Sequence, residues 1–325
     1  MPAGDSPQTL FIWNTGIVLE TLSDIYLYSL DGKVLFKKER AHGTRIGLNE
    51  EYLFCQDQNH WLTSFDFSGK LVLEEADFPH STSFDFPVSL FVPCERGFFA
   101  VIQYTGGAEN LPPEAYVEKV EYGQVLPEWT WKVEGKQQLY PLYIEETGRI
   151  VVFLEDIILI DSQTGEEISR IGFPKMELFN CSADQEGNIY LTGADKDGAV
   201  LVALSPGGEE LWRLTDGSGE KMIDIHPPVV ASEDMVYLLM ERSVFAISNG
   251  DIKWSFRIES GDISYGTSLA DGTFLVTVEN RLYRLGSDGD VIFEYTAELK
   301  IEAPPVVDAD GDIYLVTAEK MIKIG

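Results

Sequence analysis

The sequence has few of the residues that build disulfide frameworks and metal sites. Of its 325 residues, three are cysteine and four are histidine. Cys55, Cys94 and Cys181 are an odd number, widely spaced and without a CxxC pair, which argues against a disulfide framework or a structural zinc site. Apolar or aromatic residues precede each of them, so we interpret them as small buried core residues, with a reactive thiol as the alternative.

Basic residues and long apolar runs are also scarce. Lys and Arg number 24 against 54 Asp and Glu, which gives a formal net charge of -30. Such a surface repels nucleic-acid phosphates and anionic lipid headgroups. No apolar run approaches the roughly 20 residues that span a bilayer, and the start of the chain lacks the basic and apolar regions of a secretory signal. We therefore expect a monomer that binds no nucleic acid and inserts into no membrane. The compartment is left open: we expect a cytoplasmic protein from the sequence as written, and a periplasmic or extracellular one if a signal has been removed.

What the sequence does contain is a repeated pair of alternating strands joined at a glycine. The segment "SVFAISNGDIKWSFRI" has counterparts along the chain, at 25–38, 62–75, 157–171, 200–214 and 281–295. A tight hairpin needs the positive φ that glycine adopts easily, and the turn glycines are Gly32, Gly69, Gly165, Gly208, Gly250 and Gly289. An irregular copy at 116–133 has Gly123 at its turn. A period of roughly 40 residues made of strands is typical of propeller blades.

Two further strands precede each hairpin. A third strand recurs at 148–154, 187–193, 234–240, 272–278 and 311–318, and a short innermost strand at 227–232 and 304–310. The predicted fold class is therefore all-β, a β-propeller of four-stranded antiparallel blades that occupies residues 1–325 as a single domain. We predict eight blades, with seven as the alternative.

The two irregular parts of the chain receive their own predictions. The N-terminal strand at 9–14 is expected to close the ring beside the C-terminal strands, with Trp13 in a wedge position, because closure removes two free sheet edges. Residues 1–8 are expected to be flexible. Residues 103–115, rich in Gly, Pro and polar side chains, are predicted to form a loop insertion in the third blade.

Large apolar residues four positions after most turn glycines predict wedges between blades. They are Phe36, Leu73, Trp212, Trp254 and Phe293, and Trp129 takes this part in the irregular copy. The pattern Ala203, Gly208, Trp212, nearly repeated at Ala246, Gly250 and Trp254, resembles the PQQ-like repeat of quinoprotein and BamB-type propellers, the tryptophan-docking family. The resemblance covers nearly the whole chain, most strongly from residue 148 onward, and it implies a fold rather than a chemistry. The adjacent cysteines and calcium ligands of quinone-dependent members have no counterparts here, so PQQ is not expected as a cofactor.

One segment has the beginning of a calcium loop. Asp308, Asp310 and Asp312 alternate around a glycine, and the twelfth position from Asp308 is Glu319. A strand follows instead of the helix that such a loop requires. We interpret the segment as a polar hairpin, with a calcium site on the three aspartates as the alternative, and we predict no other cofactor.

The preferred functional hypothesis is a non-catalytic scaffold that binds a protein or peptide through a loop face or a blade edge. The acidic loops at 73–87 and 103–115 carry aromatic side chains suited to anchoring a partner, or to ordinary loop packing: Phe78, Phe84, Phe86 and Tyr104.

The alternative is an enzyme, or a small-molecule or sugar-binding protein, with its site in the axial funnel. Tyr140, His226 and Tyr265 lie beside innermost strands and are the candidate lining residues. No GxSxG, Walker or CxxCH motif is present, so no catalytic residue is assigned.

Overall fold

The computed structural model describes residues 7–13, 16–39, 45–48, 51–56, 62–76, 90–94, 97–104, 114–121, 128–134, 140–153, 156–216, 227–231 and 235–325. Over these ranges the chain consists of β-strands and turns, with one turn of 3-10 helix, η1 (Glu145–Thr147). No helix in the described ranges has the length and apolar character needed to cross a membrane. The chain divides into two compact units, residues 1–38 with 174–325, and residues 39–173. The single domain predicted over 1–325 stays a prediction.

The first unit contains five antiparallel sheets in which strands follow chain order. The first sheet is β1 (Pro7–Trp13), β2 (Gly16–Thr21), β3 (Asp24–Ser29) and β4 (Val34–Glu39). The next two are β17 (Glu177–Ala183), β18 (Ile189–Asp195), β19 (Gly198–Leu204) and β20 (Glu210–Asp216), and then β21 (Val229–Val230), β22 (Met235–Leu239), β23 (Ser243–Ser248) and β24 (Asp251–Arg257). The last two are β25 (Ile263–Ser268), β26 (Phe274–Val278), β27 (Arg281–Leu285) and β28 (Val291–Thr296), and then β29 (Val306–Val307), β30 (Ile313–Val316) and β31 (Met321–Ile324).

The second unit contains three sheets of the same kind. They are β5 (Arg45–Leu48), β6 (Tyr52–Gln56), β7 (Leu62–Asp66) and β8 (Leu71–Ala76); β9 (Leu90–Cys94), β10 (Gly97–Tyr104), β11 (Glu114–Glu121) and β12 (Trp129–Glu134); and β13 (Tyr140–Ile144), β14 (Arg149–Phe153), β15 (Asp156–Asp161) and β16 (Glu167–Gly172). The all-β class and the four-stranded antiparallel unit are thus confirmed. The number of blades stays a prediction.

The hairpin glycines behave as the sequence predicts. Gly32, Gly69, Gly165, Gly208, Gly250 and Gly289 all have φ between 73° and 88°. The N–H groups of all but Gly250 are seen to close short turns, as where Gly289 donates to the Gly286 carbonyl at 3.0 Å. A residue with an L side chain rarely adopts this left-handed backbone conformation, which explains why glycine recurs at these hairpin turns.

The core lies between the faces of neighbouring sheets. The second and third strands are buried over most of their length, as in β2, where all six residues are buried. The outer strands β4 and β24 are mostly exposed or half-buried, and the one buried residue of β24 is Trp254. One core cluster joins Tyr190, Leu201 and Ala203 of one sheet to Val236 and Leu238 of the next. Since each sheet covers a face of its neighbour, the stability of a repeat depends on the repeats that flank it.

The predicted ring closure by residues 9–14 is wrong. β1 pairs antiparallel with β2, with Trp13 opposite Gly16 and Leu10 opposite Leu19, so it is the innermost strand of the first sheet and not an outer strand beside β31. Only two residues separate β1 from β2, and a hairpin with so short a loop closes at little entropic cost.

The predicted insertion at 103–115 is narrower than expected. β10 and β11 pair as far as Gln103 opposite Ala115 and Tyr104 opposite Glu114. Residues 105–113, together with Gly123, lie outside the described residues.

Candidate functional site

Three tryptophans on outer strands lie over hairpin glycines of the sheets that follow them. A Cβ atom built on the glycine would lie 2.6 Å from the nearest atom of Trp129 at Gly165, 3.1 Å from Trp212 at Gly250 and 2.8 Å from Trp254 at Gly289. These glycines therefore supply both a left-handed turn and a flat surface for an indole ring. The predicted wedges at Trp129, Trp212 and Trp254 are confirmed.

Each docked tryptophan also ends a row of side chains across its own sheet. The rows run from the second strand to the fourth as Phe99, Lys119 and Trp129; Tyr190, Ala203 and Trp212; and Tyr237, Ala246 and Trp254. In each row the first and last rings lie 5.6 to 6.0 Å apart, a separation at which aromatic pairs attract.

The predicted wedge at Phe293 does not follow this rule, and those at Phe36 and Leu73 stay predictions. Phe293 on β28 is 37% exposed, whereas Trp254 at the matching position of β24 is 9% exposed. Phe36 is half-buried, and the side chain of Leu73 lies outside the described part. The prediction of a wedge at Phe293 is therefore wrong, because no glycine turn in the described residues covers this ring.

Hydroxyl groups of the innermost strands in the first unit are occupied by bonds between sheets. The Tyr265 phenol donates to the Glu302 carbonyl at 2.9 Å, and Thr267 Oγ1 donates to the Pro305 carbonyl at 2.8 Å. Ser182 Oγ donates in the same way to the Pro228 carbonyl at 2.7 Å. These side chains join the innermost strands of neighbouring sheets rather than presenting free polar groups.

The predicted funnel site of Tyr140, His226 and Tyr265 stays a prediction, because only Tyr265 is fully described. Burial, and then the charge of Glu302, raise the pKa of Tyr265, so its phenol stays a protonated donor at neutral pH. Tyr140 is the first residue of β13 in the other unit, and its side chain lies outside the described residues, as does His226.

Two of the three aspartates of the candidate calcium site, Asp308 and Asp312, have partners within the last sheet. Asp308 Oδ1 accepts the backbone N–H groups of Asp310 and Asp312 at 3.0 Å each, and Asp308 Oδ2 accepts the Tyr314 phenol at 2.8 Å. Asp312 forms an ion pair of 2.6 Å with Lys323. Burial would raise the pKa of Asp308, but the hydrogen bonds outweigh it and lower the pKa. In the residues that the structure describes, no group of three or more His, Cys, Asp or Glu side chains is placed to hold a metal ion.

The remaining candidate residues give little further information. Phe78, Phe84 and Phe86 lie outside the described residues, and Tyr104 is placed only by its backbone at the end of β10. Cys55 and Cys94 are buried and unbridged. Cys181 is only half-buried, so its predicted place in the core is not borne out. Burial nevertheless raises the pKa of its thiol to about 12, which argues against a reactive thiolate.

A set of exposed aliphatic side chains was not anticipated from the sequence. Six outer strands carry a branched aliphatic residue two or three positions after the turn glycine, each between 41% and 58% exposed: Leu35, Val72, Ile168, Leu211, Ile252 and Ile292. Each lies one or two residues before the wedge position. Where the aliphatic residue directly precedes the wedge position, the repeat itself contains the signal, since neighbouring residues of a strand face opposite sides. Ile252 is the exception, because it lies two residues before Trp254 and is separated from it by the register shift between β23 and β24.

Among the side chains that the structure describes, the longest run of exposed apolar residues lies on β28. Val291, Ile292 and Phe293 are consecutive and are all exposed, at 45%, 58% and 37%. A run of this kind on a soluble protein commonly marks a contact surface.

Comparisons with known proteins bear on the fold. No protein-family model matches the chain, and no curated protein matches its sequence. Among solved structures, BamB from Moraxella catarrhalis is similar with a TM-score of 0.68 and 9% identity, covering 97% of this chain and 95% of that one. The dihydro-heme d1 dehydrogenase NirN, in complex with DHE, is similar with a TM-score of 0.70 and 10% identity, covering 93% of this chain and 68% of that one.

A WD40 domain shows the same architecture at greater distance. The β-propeller domain of Doa1 has a TM-score of 0.57 and 8% identity, and it covers 99% of this chain and 93% of the other. At these identities the likeness concerns the fold and not the chemistry. The chain therefore has a β-propeller fold similar to that of BamB and NirN, and a propeller is the fold that its glycine and tryptophan pattern predicts.

Proposed function

We propose that this chain is a non-catalytic propeller scaffold that binds a protein or peptide partner through a blade edge or a loop face. The shared fold does not decide between binding and catalysis, because a dehydrogenase and a WD40 domain are both similar to it. The proposal therefore depends on the distribution of polar and apolar groups in this chain.

The observation that carries the proposal is the repeated exposed aliphatic side chain on the outer strands. Leu211 and Ile252 are 52% and 45% exposed on β20 and β24, and the run on β28 extends this surface. Apolar area in this position is removed from water when a partner covers it. The described innermost strands, by contrast, use Tyr265, Thr267 and Ser182 to join sheets.

Charge supports one class of partner. The net charge of -30 attracts basic proteins over distances of several ångströms and repels nucleic acids. We therefore expect a partner with a basic surface or basic flanking residues, bound by a monomeric chain without insertion into a membrane. Association should slow as salt is raised, because screening shortens the reach of this attraction.

The test is affinity capture from the source lysate with the intact chain and two folded variants as bait. The edge variant carries Ile252→Thr and Ile292→Thr, and the loop variant carries Phe84→Ala and Phe86→Ala. A partner lost with the edge variant alone supports a blade-edge interface, and one lost with the loop variant alone supports the loop face. If the intact protein captures nothing reproducibly at low or physiological salt, the scaffold proposal is overturned.

A further inference from the structure

The last sheet of the chain offers an unpaired strand edge. Its strands lie in the order β29, β30, β31, and no strand of the described residues pairs with the outer side of β31. β31 pairs with β30 through Ile324 opposite Ile313 and Met321 opposite Val316. Backbone N–H and C=O groups on the other side of such a strand are ready to pair with a further strand.

A side-chain row in this sheet also lacks its final member. The complete rows consist of an aromatic residue on the second strand, alanine or lysine on the third and tryptophan on the fourth. In the last sheet Tyr314 lies opposite Lys323, and the row ends there. The row of Phe99, Lys119 and Trp129 shows that lysine in the third place is compatible with a docked tryptophan.

The turn that would receive this missing side chain is uncovered. Gly32, at the hairpin of β3 and β4, has a φ of 83°, like the other docking glycines, yet a Cβ built on it meets no atom within 4 Å. By contrast, Gly250 and Gly289 each lie under an indole ring. Gly32 therefore has the backbone of a docking glycine, and no ring of the described residues covers it.

The uncovered turn and the unpaired edge belong to adjoining sheets. Tyr314 and Val316 share a core cluster with Leu10 and Ile17 of the first sheet, and Leu30 and Met321 pack against it. The Tyr314 phenol lies 3.4 Å from the Leu30 carbonyl, two residues before Gly32. An aromatic side chain in the fourth place of the row would reach from Tyr314 to Gly32, as Trp254 reaches from Tyr237 to Gly289.

Exposed apolar residues border the same place. Phe293 occupies the fourth place of the preceding sheet, opposite Arg284, and is 37% exposed. The docked tryptophans Trp129, Trp212 and Trp254 occupy the same position in their sheets, and a hairpin turn of the following sheet covers each of them. If a strand were added beside β31 and its chain passed Gly325, that chain would cover Phe293 as a hairpin turn covers each docked tryptophan.

We propose that β31 binds an extended segment of a partner protein as a fourth antiparallel strand, and that a tryptophan or phenylalanine of this segment packs between Tyr314 and Gly32. The inference rests on the proposed scaffold function and names its site and the kind of partner. Backbone pairing supplies affinity in this mode of recognition, and the aromatic pocket supplies specificity. Because the chain carries a net charge of -30, basic residues in the segment favour binding.

The chain itself supplies a suitable probe. A synthetic peptide with the sequence of residues 250–257, GDIKWSFR, holds the fourth-strand tryptophan together with one acidic and two basic residues. We expect saturable binding with one peptide per chain, measured by calorimetry or by anisotropy of a labelled peptide. Replacing the peptide's tryptophan by alanine is expected to weaken binding at least tenfold.

Two matched glycine variants locate the site. Gly32→Asn places a side chain in the uncovered position, and asparagine tolerates the left-handed backbone. Gly272, with a φ of 78° and no atom within 4 Å of its Cβ position, is the control. We expect Gly32→Asn to weaken peptide binding at least tenfold and Gly272→Asn to leave it unchanged.

An extended chain supplies an independent measurement. Residues 287–289 and 251–257, copied in that order after Gly325, provide a turn and a fourth strand. This extension is expected to raise the urea midpoint and to abolish peptide binding, whereas the same extension with alanine for tryptophan has a smaller effect on both.

The outcomes separate this inference from the scaffold function. No binding of the peptide, or equal binding by the Gly32→Asn variant, overturns the strand site even when lysate capture succeeds. A dimer in solution that the extension dissociates assigns the edge to a second copy and overturns the partner-protein occupant. If the intact chain binds the peptide but captures no partner from the lysate, the scaffold function is overturned instead.

Discussion

Alanine at two hairpin glycines separates the cost of the turn from the cost of the docked ring. Gly289 and Gly32 have φ values of 86° and 83°. The left-handed backbone therefore disfavours alanine by a similar amount at both positions, about 1–2 kcal/mol. They differ in surroundings: the Cβ of alanine would lie 2.8 Å from two ring atoms of Trp254 at Gly289, and no atom lies within 4 Å at Gly32.

The overlap at Gly289 sets the expected magnitude. The Trp254 ring is held against Tyr237 at 5.6 Å, so it moves away from the new methyl group only by disturbing a packed core. Overpacking of this kind costs about 1–3 kcal/mol. We therefore expect Gly289→Ala to lower the free energy of unfolding by about 2–5 kcal/mol and Gly32→Ala by about 1–2 kcal/mol.

The assay is urea unfolding followed by far-ultraviolet circular dichroism, with midpoints compared at a common slope. A double-mutant cycle completes it. Trp254→Ala costs about 3–5 kcal/mol, and in its background Gly289→Ala should cost no more than Gly32→Ala, because the obstructing ring is gone. Equal losses at the two glycines in the intact background would show that the ring does not constrain the turn, and the docking argument would fail.

Two further predictions concern individual polar groups. The Trp129 indole N–H donates to a turn carbonyl at 3.1 Å, whereas that of Trp254 is buried without a hydrogen-bond partner in the described structure, so Trp129→Phe should cost about 1 kcal/mol more than Trp254→Phe in the same urea assay. Equal losses would contradict the assignment of this bond. Since the pKa of Asp308 is lowered on folding, its contribution is present in full above the unfolded pKa of about 3.9 and disappears as the pH falls through the folded value. Asp308→Asn should therefore lower the free energy of unfolding by about 1–3 kcal/mol at pH 7 and by progressively less below a pH of about 4. The measurement is the urea midpoint as a function of pH, with the exposed Asp310→Asn as control. If the difference between Asp308→Asn and the intact protein does not narrow in acid, the argument is refuted.

Some features of the candidate site follow from local sequence and others do not. The docked rings at Trp212 and Trp254 are predicted by their spacing from a turn glycine, because one hairpin sets both positions. Phe293 has the same spacing from its turn glycine as Trp212, but its ring is exposed. What covers a wedge depends on the next sheet, which the local pattern does not contain.

The sequence by itself determined the strands, the hairpin turns and the four-stranded repeat. Alternation with a period of two and glycine at positive φ are properties of a few neighbouring residues, so they can be read without knowing the rest of the chain. The tertiary structure alone decided that β1 pairs with β2 and that Asp308 accepts hydrogen bonds from its turn and from Tyr314. It also decided that Gly32 and β31 lack, within the described part of the chain, the partners that their counterparts have. These outcomes depend on contacts between segments distant in sequence, such as the packing of Tyr314 against the first sheet, and no local pattern specifies which distant surface will be covered.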